Sequence, residues 1–209
     1  MSGEHKELIM SMAHFSHMLV SETEGWSDIT QKHPTARRLL LALVAPMSLL
    51  PPLMYAYAEK MNPGAVFPLS VPAISNMQLL TTGIVLFAVQ LVMVSFMASA
   101  IQRMSMAQDH DPGYEQAYTL AAIAPVPLWL SSLALFVPSL AFNVIVVIAA
   151  WIGTVALIRH GVRPLLRVDD AAKAHYIANM VTMAGVSAWI GLMVISAAIL
   201  SMLLVWWMV

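Results

Sequence analysis

Five long apolar stretches dominate the chain, and no charged residue interrupts any of them. A helix needs about 20 mostly apolar residues to cross a hydrocarbon core of roughly 30 Å, and each stretch has about that length or more. Because lipid offers the backbone no hydrogen-bond partners, each stretch is expected to be helical. The pattern predicts an all-α polytopic membrane protein, a bundle of five transmembrane helices at residues 39–58, 79–101, 118–137, 140–158 and 181–208.

The residues ahead of the first span form a polar amino-terminal arm, residues 1–36, which precedes the five-span membrane domain, residues 37–209. Within the arm, residues 4–20 carry apolar side chains at helical spacing, namely Leu8, Met12, Phe15 and Leu19. This pattern predicts a short amphipathic helix. Two placements stay open for it, one flat on the membrane surface and one docked on the end of the bundle. Residues 21–32 are predicted to be a turn-containing linker.

The cations are distributed unevenly about the predicted spans. Lys60 falls on one side, and the other nine Lys and Arg residues fall on the opposite side, namely Lys6, Lys32, Arg37, Arg38, Arg103, Arg159, Arg163, Arg167 and Lys173. Since cytoplasmic segments of membrane proteins carry an excess of Lys and Arg, the amino terminus is predicted to be cytoplasmic and the carboxyl terminus external. The cytoplasmic side would then hold the arm and two loops, residues 102–117 and 159–180.

Composition narrows the possible functions. Charged residues make up only 10% of the chain, whereas a soluble domain carries about 25%. This excludes a soluble globular domain and a disordered chain, so membrane lipids are the expected partners. The formal net charge of −1 provides no basic surface for nucleic acid. Because the sequence lacks cysteine, a GxSxG motif and a phosphate-binding glycine loop, we expect no enzyme and no cofactor.

Groups that bind divalent metal ions gather on the predicted cytoplasmic side, where all seven histidines fall. Two neighbouring loops supply the candidate ligands, which are Asp109, His110, Asp111, His160, Asp170 and His175. A metal site needs three or four such groups to converge. The alternative, which we favour, is that polar residues collect in loops because the spans cannot hold them.

Two features of the spans bear on a transport pathway. Gln90 in span two and Asn143 in span four would either line a polar path or form hydrogen bonds between helices, and the second role is the commoner one. Prolines are expected to bend spans one and three, at Pro46, Pro51, Pro125 and Pro127. Such bends build binding sites in some transporters and only improve packing in other proteins.

Residues 112–166 share a set of features with a known family. The set comprises a Tyr/Ala-rich entry, a proline in mid-helix, a two-residue hairpin, a fourth span with tryptophan and glycine, and a closing glycine and proline. The residues are Tyr114, Ala117, Tyr118, Ala121, Pro125, Pro138, Trp151, Gly153, Gly161 and Pro164. This stretch resembles the core of the Yip-one family, the Ypt/Rab-interacting five-span membrane proteins, especially its small bacterial inner-membrane members.

The resemblance implies five helices with a cytoplasmic amino terminus, in the inner (cytoplasmic) membrane, and it supplies no catalytic residues. Eukaryotic members of the family are associated with small GTPases and vesicle traffic. The acidic-Leu-Tyr-Gly-Pro signature of those members is absent from this chain.

Two functions stay open. The first is a non-enzymatic scaffold that organises membrane components, as a homo-oligomer or with an unidentified membrane or cytosolic protein partner. Its contact surface would be the arm and the basic loop at residues 159–173, which would also attract anionic lipid headgroups. The alternative is a small transporter or channel, with a pathway that touches Gln90 or Asn143 and a divalent metal ion as one candidate cargo.

Overall fold

The computed structural model describes residues 26–64 and 75–206, and every regular element in these residues is helical. In chain order the elements are α1 (Trp26–Lys32), α2 (Ala36–Leu39), a π-helical turn (Leu40–Val44), α3 (Ala45–Met61), α4 (Asn76–Met106), α5 (Tyr114–Ile123), α6 (Val126–Ser131), a 3₁₀ turn (Ser132–Phe136), α7 (Leu140–Leu166) and α8 (Ala171–Trp206). The amphipathic helix predicted at residues 4–20 lies outside the described residues.

Five of these helices or helix groups are long and apolar enough to cross a membrane. They are span one (Ala36–Met61), span two (Asn76–Met106), span three (Tyr114–Phe136), span four (Leu140–Leu166) and span five (Ala171–Ile199). The prediction of an all-α bundle with five membrane-spanning helices is confirmed. Consecutive spans are antiparallel, so α1 and the connections 107–113 and 167–170 lie together at one end. We name this the cation-rich end.

The two loops predicted at this end are much shorter than expected. The segment 102–117 is helical up to Met106 and again from Tyr114, and the segment 159–180 departs from helix only at residues 167–170. The predictions were wrong because they ended each span at its last uncharged residues. A helix keeps its own hydrogen bonds beyond the hydrocarbon core, and exposed cations such as Arg159 reach water from its last turns.

The linker predicted at residues 21–32 is also helical in its described part, which is α1. Trp26 is 0% exposed and packs against span four at Gly161. A Cβ atom on Gly161 would lie 2.6 Å from Cη2 of Trp26 and 3.0 Å from Cδ1 of Leu120. The glycine therefore creates the slot that holds the tryptophan, and α1 is docked on the bundle.

Packing is tightest at the cation-rich end and loosens away from it. The buried core joins Trp26 to Ile101 of span two, Leu120 of span three and Ile177 of span five, each with almost no exposed surface. Among the described side chains of span five, none beyond Val181 is buried. The far half of span five thus adds little to the core, and lipid is its expected neighbour.

Replacing Gly161 by alanine is expected to lower the thermal stability of the purified protein. The added methyl group meets the buried ring of Trp26, and overpacking of this kind costs about 1–3 kcal/mol. Gly185→Ala is the matched control, because nothing lies within 4 Å of its Cβ position and alanine is the better helix former. Thermal unfolding in detergent compares the two variants. Equal midpoints would contradict the docking of α1.

Candidate functional site

A polar contact in the middle of the bundle joins spans one, two and three. Gln90 of span two is only 6% exposed. Its Nε2 group donates hydrogen bonds to the backbone oxygens of Ser48, at 3.2 Å, and Leu86, at 3.3 Å. Its Oε1 atom accepts a hydrogen bond from Trp129 Nε1 at 2.9 Å. Both donor hydrogens and the oxygen of this amide are therefore engaged with protein groups.

The backbone explains why Ser48 needs a donor from another helix. In an α-helix its oxygen would accept from the N–H of residue 52, but that residue is proline and has no N–H. An unpaired backbone oxygen inside a membrane costs several kcal/mol, so the donor on Gln90 stabilises the bundle. Ser48 and Trp129 were not predicted as site residues. The sequence signal for such an oxygen is a proline four residues after it.

Asn143 has a different position from Gln90. It lies in the first turn of span four, and its Nδ2 group donates to the backbone oxygens of Val137, at 3.0 Å, and Ser139, at 2.8 Å. Those two residues belong to the hairpin between spans three and four, so Asn143 closes this turn. The hydrogen bonds of both residues favour structural roles over a pathway.

Three of the four prolines predicted to bend spans one and three lie in or beside irregular backbone. Pro125 lies in the break between α5 and α6, and Pro127 lies in the first turn of α6. Pro46 lies in the first turn of α3, directly after the π-helical turn Leu40–Val44. Pro51 lies inside α3 without ending it. Three of these prolines therefore lie beside a departure from the regular α-helix.

Hydrogen bonds link the two connections at the cation-rich end. His110 donates from Nε2 to the backbone oxygen of Leu166, the last residue of α7. Lys173 donates from Nζ to the backbone oxygen of Gln108 at 3.3 Å. Cationic or donor side chains are well suited to the free oxygens of a helix end. The connections 107–113 and 167–170 therefore form one joined surface.

A hollow of about 230 Å³ lies between these connections. Its ionisable lining residues are Asp109, His110, Arg167, Asp169, Asp170 and Lys173. Three of the six predicted metal ligands thus line one hollow, namely Asp109, His110 and Asp170. The structure also brings two cations to the same place, and a metal site would have to exclude them.

The other three predicted ligands have separate environments. Asp111 accepts hydrogen bonds from its own connection and from α4. His175 bonds through Nδ1 to the backbone oxygen of Ala171 at 3.0 Å, and His160 lies half-buried on span four. Among the residues that the structure describes, no group of three or more His, Asp or Glu side chains is placed to hold a metal ion. The metal site stays a prediction that this geometry does not favour.

Asp111 is held in its charged form by its neighbours. Its Oδ1 atom accepts hydrogen bonds from the backbone N–H of Gly113, at 3.0 Å, and from Nε2 of Gln102, at 3.2 Å. These bonds stabilise the carboxylate and hold the pKa of Asp111 below its ordinary value. Since the folded pKa is the lower one, this stabilisation is complete above the unfolded-state pKa. It is lost as the pH falls through the folded pKa.

Replacing Gln102 by alanine is expected to raise the pKa of Asp111 towards its ordinary value. The variant removes one of two hydrogen bonds to the carboxylate and keeps the one from Gly113. A carbon-13 titration of the aspartate carboxyl groups measures the pKa directly. Gln31→Ala, which changes an exposed glutamine of α1, is the control and should leave the titration unchanged. An unchanged pKa in the Gln102 variant would refute the assignment.

A double-mutant cycle tests the pairing of Gln90 with Ser48. We expect Gln90→Leu to lower the unfolding free energy by about 1–3 kcal/mol, because it leaves buried polar groups unpaired. In a Pro52→Ala background the restored N–H can serve Ser48, so the cost should be smaller by about 1 kcal/mol. Gln90→Leu also removes the hydrogen bond to Trp129. This loss is the same in both backgrounds and cancels from the coupling energy.

The control for this cycle is Pro51→Ala. Pro51 withholds its donor from the oxygen of Met47, and the Nε2 group of Gln90 donates to the oxygens of Ser48 and Leu86 instead. Gln90→Leu and Pro51→Ala should therefore be additive to within about 0.5 kcal/mol in chemical denaturation. If the Pro51 and Pro52 backgrounds gave the same coupling, the assigned partner of Gln90 would be wrong.

Comparison with known proteins places the chain in a family. A family model described as the Yip1 domain matches residues 16–192, which is most of the chain. No curated protein and no solved structure matches it. The match includes residues 112–166, on which the resemblance to the Yip-one family rests, and extends over all of spans one to four and much of span five. The chain belongs to the Yip1 family and is a multi-pass integral membrane protein.

Proposed function

We propose that this protein is a membrane scaffold without enzymatic activity, which organises other membrane components through its cation-rich end. Family membership suggests protein interactions, and the family is not known for catalysis. The observation that carries the proposal is the docking of α1 by Trp26 in the slot at Gly161. This contact makes the cation-rich end a surface shared by the amino-terminal arm and the bundle.

The start of span one is bound to span three at the same end. The carboxylate of Glu115 accepts a hydrogen bond from the backbone N–H of Ala36, the first residue of α2. A carboxylate is favourable there because the first turn of a helix has free N–H groups and a positive dipole end. A surface whose parts are joined in this way loses less conformational freedom when a partner binds.

The interior of the bundle supports a scaffold better than a pathway. A transporter needs a polar route that connects both ends, with groups free to meet its cargo. The amide of Gln90 is instead engaged with three protein groups. The hollow between the two connections and a smaller one beside it, lined by His33, Glu115 and Arg167, both lie at the cation-rich end.

We assign the cation-rich end to the cytoplasm and the protein to the inner (cytoplasmic) membrane. Exposed cations at this end include Arg37, Arg103 and Arg159, and a cytoplasmic position follows from the excess of Lys and Arg there. A second copy of the chain is one candidate partner, because Gly185 and Gly191 of span five leave open space for a close helix contact. A membrane or cytosolic protein is the other candidate.

In-cell photocrosslinking tests the scaffold. A photoreactive residue is introduced at exposed positions of the cation-rich end, Gln31 and Ala107, and at Lys60 and Met77 of the opposite end as controls. Discrete adducts are expected from the first pair alone, and an adduct of twice the mass of the chain identifies a homo-oligomer. Trp26→Ala, which releases α1, should abolish the adducts while the protein stays in the membrane. Equal adducts from both ends would reject the proposed surface.

Flux through reconstituted liposomes tests the rival function. The scaffold is expected to carry no divalent metal ion across the bilayer. The matched variant combines His110→Ala, Asp111→Ala and His175→Ala, which removes three of the predicted ligands. Metal uptake that the wild type supports and this triple variant lacks would overturn the scaffold in favour of a transporter.

A further inference from the structure

The hollow between the connections 107–113 and 167–170 holds charges of both signs. Arg167 and Lys173 face it together with Asp109, Asp169 and Asp170, so its fixed charges sum to −1 with His110 neutral. Its volume of about 230 Å³ far exceeds what one bare ion or one water molecule needs. A ligand that matches this lining is larger than an ion and carries a positive and a negative group.

Some of these side chains are positioned by bonds to the backbone. Oδ1 of Asp170 accepts from the N–H groups of Ala172, at 2.8 Å, and Lys173, at 3.3 Å, which caps the start of α8. Lys173 uses one donor on the oxygen of Gln108 and keeps two more on the same ammonium group. Hydrogen bonds to the backbone thus hold Asp170 and Lys173 at the edge of the hollow, and the two side chains do not pair with each other.

Two of the lining residues hold a costly backbone conformation. In the described part of the chain three non-glycine residues have positive φ, and two of them are Asp109, at 57°, and Arg167, at 56°. Arg167 ends α7 at a position where glycine is the usual residue. Such conformations cost on the order of 1 kcal/mol and cluster at ligand clamps. Two positions of positive φ, where glycine would have the lower conformational energy, are therefore occupied by charged residues.

The length of span four indicates that the hollow lies at the depth of the lipid headgroups. Span four has 27 residues, which corresponds to about 40 Å, whereas the hydrocarbon core is roughly 30 Å thick. The hollow begins where that helix ends, and buried Ile177 gives it an apolar wall. Tyr176, which precedes Ile177 in the chain, is 53% exposed, as expected for a tyrosine at the membrane interface.

We propose that this hollow binds a phosphoethanolamine zwitterion, presented as the headgroup of an ethanolamine phospholipid. Arg167 and Lys173 contact the phosphate, and the carboxylates of Asp109 and Asp169 accept hydrogen bonds from the primary ammonium. A headgroup that carries only negative charge meets a lining with excess carboxylate, and a choline headgroup has no N–H to donate. The inference does not rest on the scaffold proposal. The lining of the hollow would bind this headgroup in a scaffold and in a transporter alike.

The test uses the purified full-length protein in a detergent compatible with native mass spectrometry. It is titrated with phosphatidylethanolamine, phosphatidylcholine or phosphatidylglycerol of identical acyl chains, and separately with free phosphoethanolamine. We expect phosphatidylethanolamine to bind about tenfold more tightly than either other lipid, which is the value of one charge-assisted hydrogen bond. Competition by free phosphoethanolamine at the affinity of the lipid would support the same site and assign it to a soluble ligand.

Variants locate the binding. Arg167→Asn and Asp109→Asn each remove one charge, and asparagine tolerates the positive φ of both positions, so the fold should survive. Each is expected to weaken phosphatidylethanolamine binding about tenfold. Arg159→Gln removes an exposed cation at the same end outside the hollow and should change nothing.

Three results would overturn the proposal. These are an affinity for phosphatidylglycerol or phosphatidylcholine that equals the affinity for phosphatidylethanolamine, unchanged binding in both asparagine variants at wild-type thermal stability, and an equal loss in Arg159→Gln. If the asparagine variants melted early, lipid selectivity of the wild type would still decide the question. A lipid preference reversed towards phosphatidylglycerol would show that the cations alone carry the binding.

Discussion

Lipid cannot form hydrogen bonds, and this constraint determines how the interior of the bundle is built. Every backbone donor and acceptor within a span needs a protein partner, while each proline removes a donor. Pro52 withholds the donor that Ser48 would use, and Gln90 supplies another from the neighbouring helix. The same side chain accepts the indole N–H of Trp129 from a third helix. One neutral amide therefore satisfies groups on two other spans without placing a charge in the membrane.

The same constraint keeps the ionisable groups out of the middle of the spans. A charged side chain at the centre of the bilayer costs at least about 2.5–3.5 kcal/mol, whereas one at the headgroup level keeps its contact with water. At that level opposite charges can surround a hollow, and His110 and Lys173 can join the two connections. Tight packing around Trp26 lies at this same end, so the part of the bundle with the most polar chemistry is also its best-packed part.

The number and order of the spans could be predicted because hydropathy measures transfer into lipid, which is the force that makes them. Loop lengths could not, since the extension of a helix to Leu166 depends on backbone hydrogen bonds that hydropathy does not measure. The sequence shows that the backbone oxygen of Ser48 lacks its usual donor, because Pro52 follows four residues later. That Gln90 supplies the donor depends on how two helices pack, which the sequence does not show. The slot at Gly161 depends in the same way on a tryptophan far away along the chain.

The predicted metal ligands show most clearly what the sequence cannot predict. Their side of the membrane follows from the order of the spans, but which of them share a hollow depends on two turns. Asp109 and Arg167 turn the chain through positive φ, and neither residue type indicates such a turn as glycine would.

Arg167 is the residue through which the docked arm and the charged hollow are linked. It lines the hollow between the two connections and also the smaller one beneath α1, where His33 has positive φ as well. A ligand that holds the side chain of Arg167 in the hollow between the connections also restricts the wall of the smaller hollow beneath α1. Linkage is reciprocal. If docking of α1 raises the affinity for the ligand by some factor, the bound ligand raises the equilibrium constant for docking of α1 by the same factor. Where such a preference exists, a partner that contacts α1 and a headgroup that contacts Arg167 influence each other's binding.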